Sequence, residues 1–289
     1  MADLESEEPQ QALSAFDIVR YHAGDSFPVE DVVAREDPLE VRLNGRTLVF
    51  LMRLPGDDVL LAVGFCYSEG LITDRGQIQL LRHCAEGDFE GVDAGSAGGG
   101  RDSRAGPGNL VEIEAKIEDG AERFTDARII RTGCGGADLE QEVDLASIEV
   151  TSDAVFSQEM ILRLPDMLMA EQKVFRTSGG THGAGIFDAD GLMLAVKEDV
   201  GRHNAVDKAL GHLLMMGQSP EDKVLILSGR LSYEMVLKAA RAGIPLVCSV
   251  SAPTALGVEV GRKTGVTLVG FLRGVGFNVY SHPRRIGGS

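Results

Sequence analysis

The stretch that decides the fold class runs from residue 223 to residue 271: KVLILSGRLSYEMVLKAARAGIPLVCSVSAPTALGVEVGRKTGVTLVGF. Short apolar runs alternate here with segments in which apolar residues recur at helical spacing. Helices are expected to begin near Ser232 and Thr254, and Gly243 is the expected end of the first. This alternation predicts an α/β fold with a largely parallel sheet and right-handed crossovers. The apolar strands are expected at 224–227, 246–250 and 266–271.

Further elements of the same unit are predicted upstream of this stretch. Apolar residues at 206–214 recur at helical spacing, and Gly217 is the expected end of that helix. A hairpin is expected at 184–196. A helix is expected at 157–172, bent or broken at Pro165 because proline cannot donate the helical hydrogen bond.

The first half of the chain has a different pattern, in which strands dominate. Asn44-Gly45 is a strong hairpin signal between two alternating segments. One helix is expected, from Asp57 or Asp58 to Gly70. Further strands are predicted at 110–117 and 123–132, after a glycine-rich loop at 94–109. We therefore predict three parts: a disordered acidic lead-in (1–15), a smaller β-rich N-terminal domain (16–140) and an α/β domain (141–289).

Composition limits the classes of function. The 289 residues carry 28 Lys and Arg against 44 Asp and Glu, a formal net charge of −16. Such a field repels phosphate backbones and anionic membranes, so neither nucleic acid nor a membrane is expected as a partner. No apolar stretch approaches the ~18 residues of a membrane span, and residues 1–11 lack the apolar core of a signal peptide. We therefore expect a cytoplasmic protein with reduced thiols.

Cys134 is the candidate for thiol chemistry among the four cysteines of the chain. Its neighbours Gly133, Gly135 and Gly136 predict a thiol at the tip of a loop with little steric cover. A cysteine that carries sulfur as a persulfide needs such access, and a nearby cation or helix N-terminus would favour its thiolate. The alternative is a small buried hydrophobic residue, which is a common role of a free cysteine.

A dense polar block, EDVGRHNAVDK at 198–208, begins the predicted helix at 206–214. The helix N-terminus with Arg202 and His203 beside it is suited to hold an anion. His203 and Asp207 are four residues apart, so we expect them to share a face and to orient each other. The alternative is an N-capped helix whose charges are solvated.

Polar loops follow three of the predicted strands: Ser228-Gly229-Arg230, then residues 251–254, then residues 271–276. In parallel α/β sheets, ligands bind beyond the carboxyl ends of the strands, so these loops predict a ligand cleft. The alternative is that each loop is only a tight turn. No His-x-Glu or Cys-x-x-Cys spacing supports a catalytic zinc site, and no metal site is expected.

Five blocks of the sequence match one known family in order, and the match extends over most of the chain from about residue 35. The blocks are RTGCG (131–135), DVGRHNAVDK (199–208), SGRLSYEM (228–235), SAPT (251–254), and FLR with YSHPRR (271–273 and 280–285). Together they closely resemble the signature of the formate dehydrogenase accessory sulfurtransferases, the FdhD family.

This resemblance implies a cytidine-deaminase-like three-layer C-terminal domain without zinc, in a cytoplasmic homodimer. It implies a sulfurtransferase that takes persulfide sulfur from a cysteine desulfurase on Cys134. The sulfur then passes to a molybdenum cofactor with two pterin guanine dinucleotides, which is inserted into formate dehydrogenase. The helix-start argument adds Arg202 and His203 to the cofactor-binding residues. The segment that matches the family's cofactor-binding stretch is Phe271, Leu272, Arg273, Gly274, Val275 and Gly276.

One departure from the family pattern leaves alternatives open. Many members carry Cys-x-x-Cys in the loop, whereas Cys134-Gly135-Gly136 is followed here by Ala137. A second thiol that would resolve the persulfide is therefore missing, although one cysteine is chemically sufficient for direct transfer. The departure allows a chaperone that binds the cofactor without moving sulfur. A nucleotide-processing enzyme on a deaminase-like fold is a further alternative, but the sequence offers it no metal ligands and no poised base.

Overall fold

The structure of this chain is a computed structural model that describes residues 12–84, 109–117, 128–130 and 143–287, with the backbone alone at 128–130. These residues form a mixed α/β fold. The strands are β1 (Leu13–His22), β2 (Asp25–Ala34), β3 (Asp37–Leu43), β4 (Arg46–Arg53), β5 (Ile78–Cys84), β6 (Leu110–Ala115), β7 (Arg128–Ile130), β8 (Phe156–Ser157), β9 (His182–Asp188), β10 (Met193–Asp199), β11 (Lys223–Leu227), β12 (Leu246–Ser249), β13 (Thr267–Arg273), β14 (Gly276–Ser281) and β15 (Ile286–Gly287). The α-helices are α1 (Asp58–Ser68), α2 (Gln158–Glu171), α3 (Lys173–Ser178), α4 (Arg202–Met215), α5 (Tyr233–Arg241) and α6 (Ala255–Thr264).

The central sheet has six strands in the order β10-β9-β11-β12-β13-β14. Strands β11, β12 and β13 are parallel to one another, and the pairs β10–β9, β9–β11 and β13–β14 are antiparallel. The expected strand–helix alternation at 223–271 is confirmed. The expectation of a largely parallel sheet holds for these three strands only, because β9–β10 and β13–β14 are hairpins, whose strands run in opposite directions.

Side chains alternate between the two faces of β11, and this alternation sets the layers of the fold. Val224 and Ile226 belong to the hydrophobic cluster of α2, whereas Leu225 and Leu227 belong to the cluster of α4 and α5. The sheet therefore lies between helices on both faces. Helix α2 begins at its N-cap Ser157 and continues through Pro165, so the expected break at the proline does not occur.

A second sheet, in the order β5-β6-β3-β4-β7, comes from the first half of the chain. The predicted hairpin is confirmed, because Asn44 and Gly45 connect β3 to β4 with φ values of 51° and 74°. The predicted helix is α1, with Asp57 as its N-cap and with Gly70 at φ 75° just after its end. Strand β1 begins at Leu13, inside the segment predicted to be disordered, and residues 1–11 lie outside the described residues.

The two halves of the chain share one hydrophobic core, which joins β3 and β4 to α1, α4 and the central sheet. Helices α1 and α4 cross at two glycines, and their backbones touch. A Cβ atom at Gly64 would lie 1.7 Å from the carbonyl oxygen of Asp207, and one at Gly211 would lie 2.0 Å from that of Leu60. The proposed domain boundary near residue 140 lies outside the described residues, so the division into two domains stays a prediction.

Candidate functional site at the carboxyl edge of the parallel strands

The loops after β11, β12 and β13 lie side by side along one edge of the central sheet, as the sequence predicts. Hydrogen bonds connect them in a row. The Ser249 hydroxyl donates to the carbonyl oxygen of Gly229 (2.5 Å) and accepts from the Ser251 amide (2.9 Å). The amide of Phe271 then donates to the carbonyl oxygen of Ser251 (2.9 Å). The backbone of this edge is therefore held in a fixed register.

The loop after β11 brings the start of α4 and the start of β9 together. A Cβ atom placed on Gly229 would lie 3.7 Å from Cδ of Arg202 and 3.8 Å from Nδ1 of His182. Both side chains therefore lie next to this loop. Burial lowers the pKa of His182, as do the charges of Arg202 and His203, so the His182 ring is neutral at neutral pH.

His203 forms a pair with Glu234, which lies in the first turn of α5. Nε2 of His203 is 2.6 Å from a carboxylate oxygen of Glu234, and both side chains are largely buried. The hydrogen bond to His203 lowers the pKa of Glu234 despite its burial, with further contributions from the charges of His203, Arg202 and Lys238. Glu234 is therefore a carboxylate at neutral pH, and it fixes the orientation of the His203 ring.

Arg202 has no hydrogen-bond or ion-pair partner among the described residues, and its Nε atom is buried without one. A partly buried guanidinium is costly to leave without an acceptor. Helix α4 begins directly at this residue, and its N-cap Gly201 has no side chain to satisfy the first amides. The arrangement is that of a cationic site suited to an anionic group.

The last residues of β13 combine a cation with an aromatic ring. Phe271 has φ 53° and is partly exposed, and the Arg273 guanidinium lies 5.7 Å from the centre of its ring. Val275 at the turn is almost fully exposed, whereas the Leu272 side chain is fully buried beside α2. A ligand at this loop would therefore meet Leu272 through its backbone alone. Of the remaining members of the predicted segment, Gly274 lies in the turn with Val275, and Gly276 begins β14.

Much of the dense polar block at 198–208 is structural. The buried carboxylate of Asp199 accepts from the amides of Leu54 and Gly201 and pairs with Lys208 at 2.9 Å. Lys208 also donates to the carbonyl oxygen of Leu54. The Glu198 carboxylate accepts from the first amides of α3. These contacts hold the start of α4 against the end of β4 and so position Arg202 and His203.

The expectation that His203 and Asp207 orient each other is wrong. Asp207 is buried at the α1–α4 crossing, where its carboxylate accepts from Ser68 (2.6 Å) and Lys238 (3.0 Å). His203 is held by Glu234 instead. The sequence gives no local signal for Glu234, because this partner is 31 residues away along the chain. The one sequence feature that could have indicated Glu234 is its position close to Ser232, at a predicted helix start.

The predicted persulfide residue Cys134 lies outside the described residues. Two other cysteines are poorly suited to thiolate chemistry. Cys66 and Cys248 are fully buried, and burial raises the pKa of both thiols, that of Cys66 to about 12. Cys84, in the edge strand β5, is partly exposed.

Two further searches of the described residues gave negative results. No α-helix there is long and apolar enough to cross a membrane. No group of three or more His, Cys, Asp and Glu side chains in the described ranges is arranged to hold a metal ion.

Fold and site together define a class of mixed α/β protein with a cationic ligand site at the carboxyl edge of three parallel strands. Comparison with known families then identifies the chain. The profile of the FdhD/NarQ family matches residues 34–287, and the chain belongs to this family.

Relatives of known name cover nearly all of the chain. A sulfur carrier protein FdhD from Streptomyces avermitilis is 39% identical over 93% of this chain and 94% of its own. One from Sulfolobus acidocaldarius is 37% identical over 89% of this chain and 92% of its own. A crystal structure described as that of a formate dehydrogenase accessory protein, from Desulfotalea psychrophila, superposes with a TM-score of 0.72. It is 25% identical and covers 96% of this chain and 100% of its own.

Proposed function

We propose that this protein is a sulfur carrier in the maturation of a formate dehydrogenase, with Cys134 as the residue that carries the sulfur. The observation that supports this proposal most directly is the near full-length similarity to proteins named sulfur carrier protein FdhD. The glycines that flank Cys134 in the sequence predict an accessible thiol, and Cys66 and Cys248 are too deeply buried to compete for the role.

The first transfer uses a cysteine desulfurase persulfide as the donor. Cys134 loses its proton, and its thiolate attacks the outer sulfur of the donor persulfide. A new S–S bond forms on Cys134 while the S–S bond of the donor breaks. The donor cysteine leaves with the electron pair and takes up a proton. This carrier step needs one thiol, so the absence of a second cysteine at Ala137 does not prevent it.

The second transfer delivers the outer sulfur to a molybdenum cofactor with two pterin guanine dinucleotides, which is the substrate and not a resident group. The S–S bond breaks, Cys134 keeps the bonding pair as a thiolate, and the reduced metal centre supplies two electrons that convert the sulfur to sulfide. The strand-edge site fits such a ligand, because Arg202 lacks an acceptor among the described residues and the Phe271–Arg273 pair offers a stacking surface with a positive charge. We propose that a cytoplasmic homodimer performs both transfers.

Intact-protein mass spectrometry tests the carrier step. The protein is incubated with a cysteine desulfurase and cysteine without reductant, and we expect the mass of one sulfur atom to be added. The addition should be absent in Cys134→Ala and present in the matched control Cys84→Ser. An addition that persists in Cys134→Ala, or none in any variant when a known acceptor is loaded, contradicts the proposal.

The alternative is a chaperone that binds the cofactor without moving sulfur, and the single thiol within residues 134–137 of the sequence is the observation that favours it. The two functions differ in their dependence on Cys134. In cells that lack the wild-type protein, Cys134→Ala should abolish formate dehydrogenase activity while cofactor binding persists. Full activity with Cys134→Ala would favour the chaperone.

A further inference from the structure

Glu234 has no role in the function as stated so far, yet it holds a residue of the strand-edge site. It lies on α5, and His203 lies in the first turn of α4, so their 2.6 Å contact joins the starts of two helices. Nδ1 of His203 has no partner among the described residues. The carboxylate therefore occupies one ring nitrogen, and the other is left for a ligand.

Several charged groups surround the pair of His203 and Glu234. Arg202 on α4 and Lys238 on α5 bring positive charge, Asp199 at the end of β10 is neutralised by Lys208, and His182 on β9 is neutral. The charge of Arg202 contributes to the lowered pKa of Glu234, but the two side chains form no ion pair. Glu234 bonds to the imidazole and leaves the guanidinium without an acceptor.

We propose that Glu234 is a positioning residue for binding of the guanine nucleotide portion of the cofactor, and that it acts through His203. The carboxylate fixes the orientation of the ring. The ring then presents its second nitrogen to the nucleotide, and Arg202 acts on the phosphate groups as a charge-assisted donor. This inference rests on the proposed function, and it predicts that loss of either member of the pair weakens binding.

A double-mutant cycle with guanosine diphosphate as the probe tests this role. Affinities are measured by calorimetry for the full chain, Glu234→Ala, His203→Ala and the double variant. We expect each single variant to bind on the order of tenfold more weakly, as for the loss of a charged hydrogen bond. The double variant should be no weaker than His203→Ala, because Glu234 has no effect without the ring.

Glu259→Ala on the exposed face of α6 is the matched control and should bind like the wild-type protein. If Glu234→Ala fails to fold, Glu234→Gln keeps the shape of the side chain and replaces it in the cycle. Additive effects in the cycle, or wild-type affinity in the Glu234 variant, overturn the positioning role. Wild-type protein that does not bind the nucleotide contradicts cofactor binding itself, so the two failures are distinguishable.

Discussion

Replacement of Gly64 by alanine should destabilise the protein strongly, because α1 and α4 touch there through their backbones. The new Cβ would lie 1.7 Å from the carbonyl oxygen of Asp207, whereas ordinary contacts begin at 3.4 Å. The helices must therefore separate by about 1.7 Å, since no flexible side chain can move away instead. A gap of even 0.5–1 Å forfeits roughly a quarter to a half of the dispersion energy across an interface.

The expected magnitude follows from two opposing effects. Overpacking of a core costs about 1–3 kcal/mol and occasionally more, and a backbone clash belongs at the upper end. Alanine offsets about 1 kcal/mol of this through its higher helix propensity. We expect a net loss of about 3 kcal/mol in the free energy of unfolding, because the separation also disturbs the buried contacts of Asp207. For a chain of 289 residues, with an unfolding entropy of about 2.1 cal/mol/K per residue, that loss lowers Tm by roughly 5 °C.

Thermal unfolding followed by circular dichroism measures this effect. Gly276→Ala is the control, because a Cβ there meets nothing within 4 Å and its φ is ordinary, so its Tm should stay close to that of the wild-type protein. Gly211→Ala clashes at the same crossing, and its cost in the Gly64→Ala background should be smaller than alone. A Tm for Gly64→Ala equal to or above that of the wild-type protein would refute the reasoning.

Three further predictions concern buried charges. Lys238→Met leaves the buried carboxylate of Asp207 without its cation and should cost about 3–5 kcal/mol in chemical unfolding, whereas a value below 1 kcal/mol would contradict the pairing. Arg285→Met removes donors from four oxygen acceptors around the C-terminal segment, and we expect a loss of at least about 3 kcal/mol; a Tm unchanged from wild type would show these bonds to be unimportant. Burial tends to raise the pKa of Glu69, but the charges of Lys238 and Arg241 lower the pKa overall. The contribution of Glu69 to the free energy of unfolding is therefore complete above its unfolded pKa near 4.5 and is lost as pH falls through the lower folded pKa. Urea midpoints from pH 3 to pH 6 should therefore fall less steeply in acid for Glu69→Gln than for the wild-type protein, and equal slopes would contradict this assignment.

Local elements could be predicted from the sequence because short-range physics decides them. Asn44 and Gly45 accept the positive φ values of a hairpin turn, and Ser157 and Thr254 cap helices with their own hydroxyl groups. The apolar runs after residue 223 alternate with helices, which suffices for an α/β assignment and for three polar loops on one edge. Arg202 was placed correctly at a helix start for the same reason.

Partners that are distant along the chain could not be predicted, because only the packing of the elements brings them together. Asp207 meets Ser68 across 139 residues, and His203 meets Glu234 across 31, although the helical spacing of the block favoured a contact between His203 and Asp207. The antiparallel edges of the central sheet likewise depend on how hairpins join it.

The sequence by itself determined the family, the α/β class and the cysteine that is the best candidate for carrying sulfur, because ordered motifs and local propensities are written in consecutive residues. The tertiary structure decided which polar residues are structural and which are not used in the core. Within one dense block it buries Asp199, Asp207 and Lys208 in ion pairs and leaves Arg202 without an acceptor among the described residues. The physical reason is that a charge in a core must be paired, and the partner is supplied by whichever element packs against it.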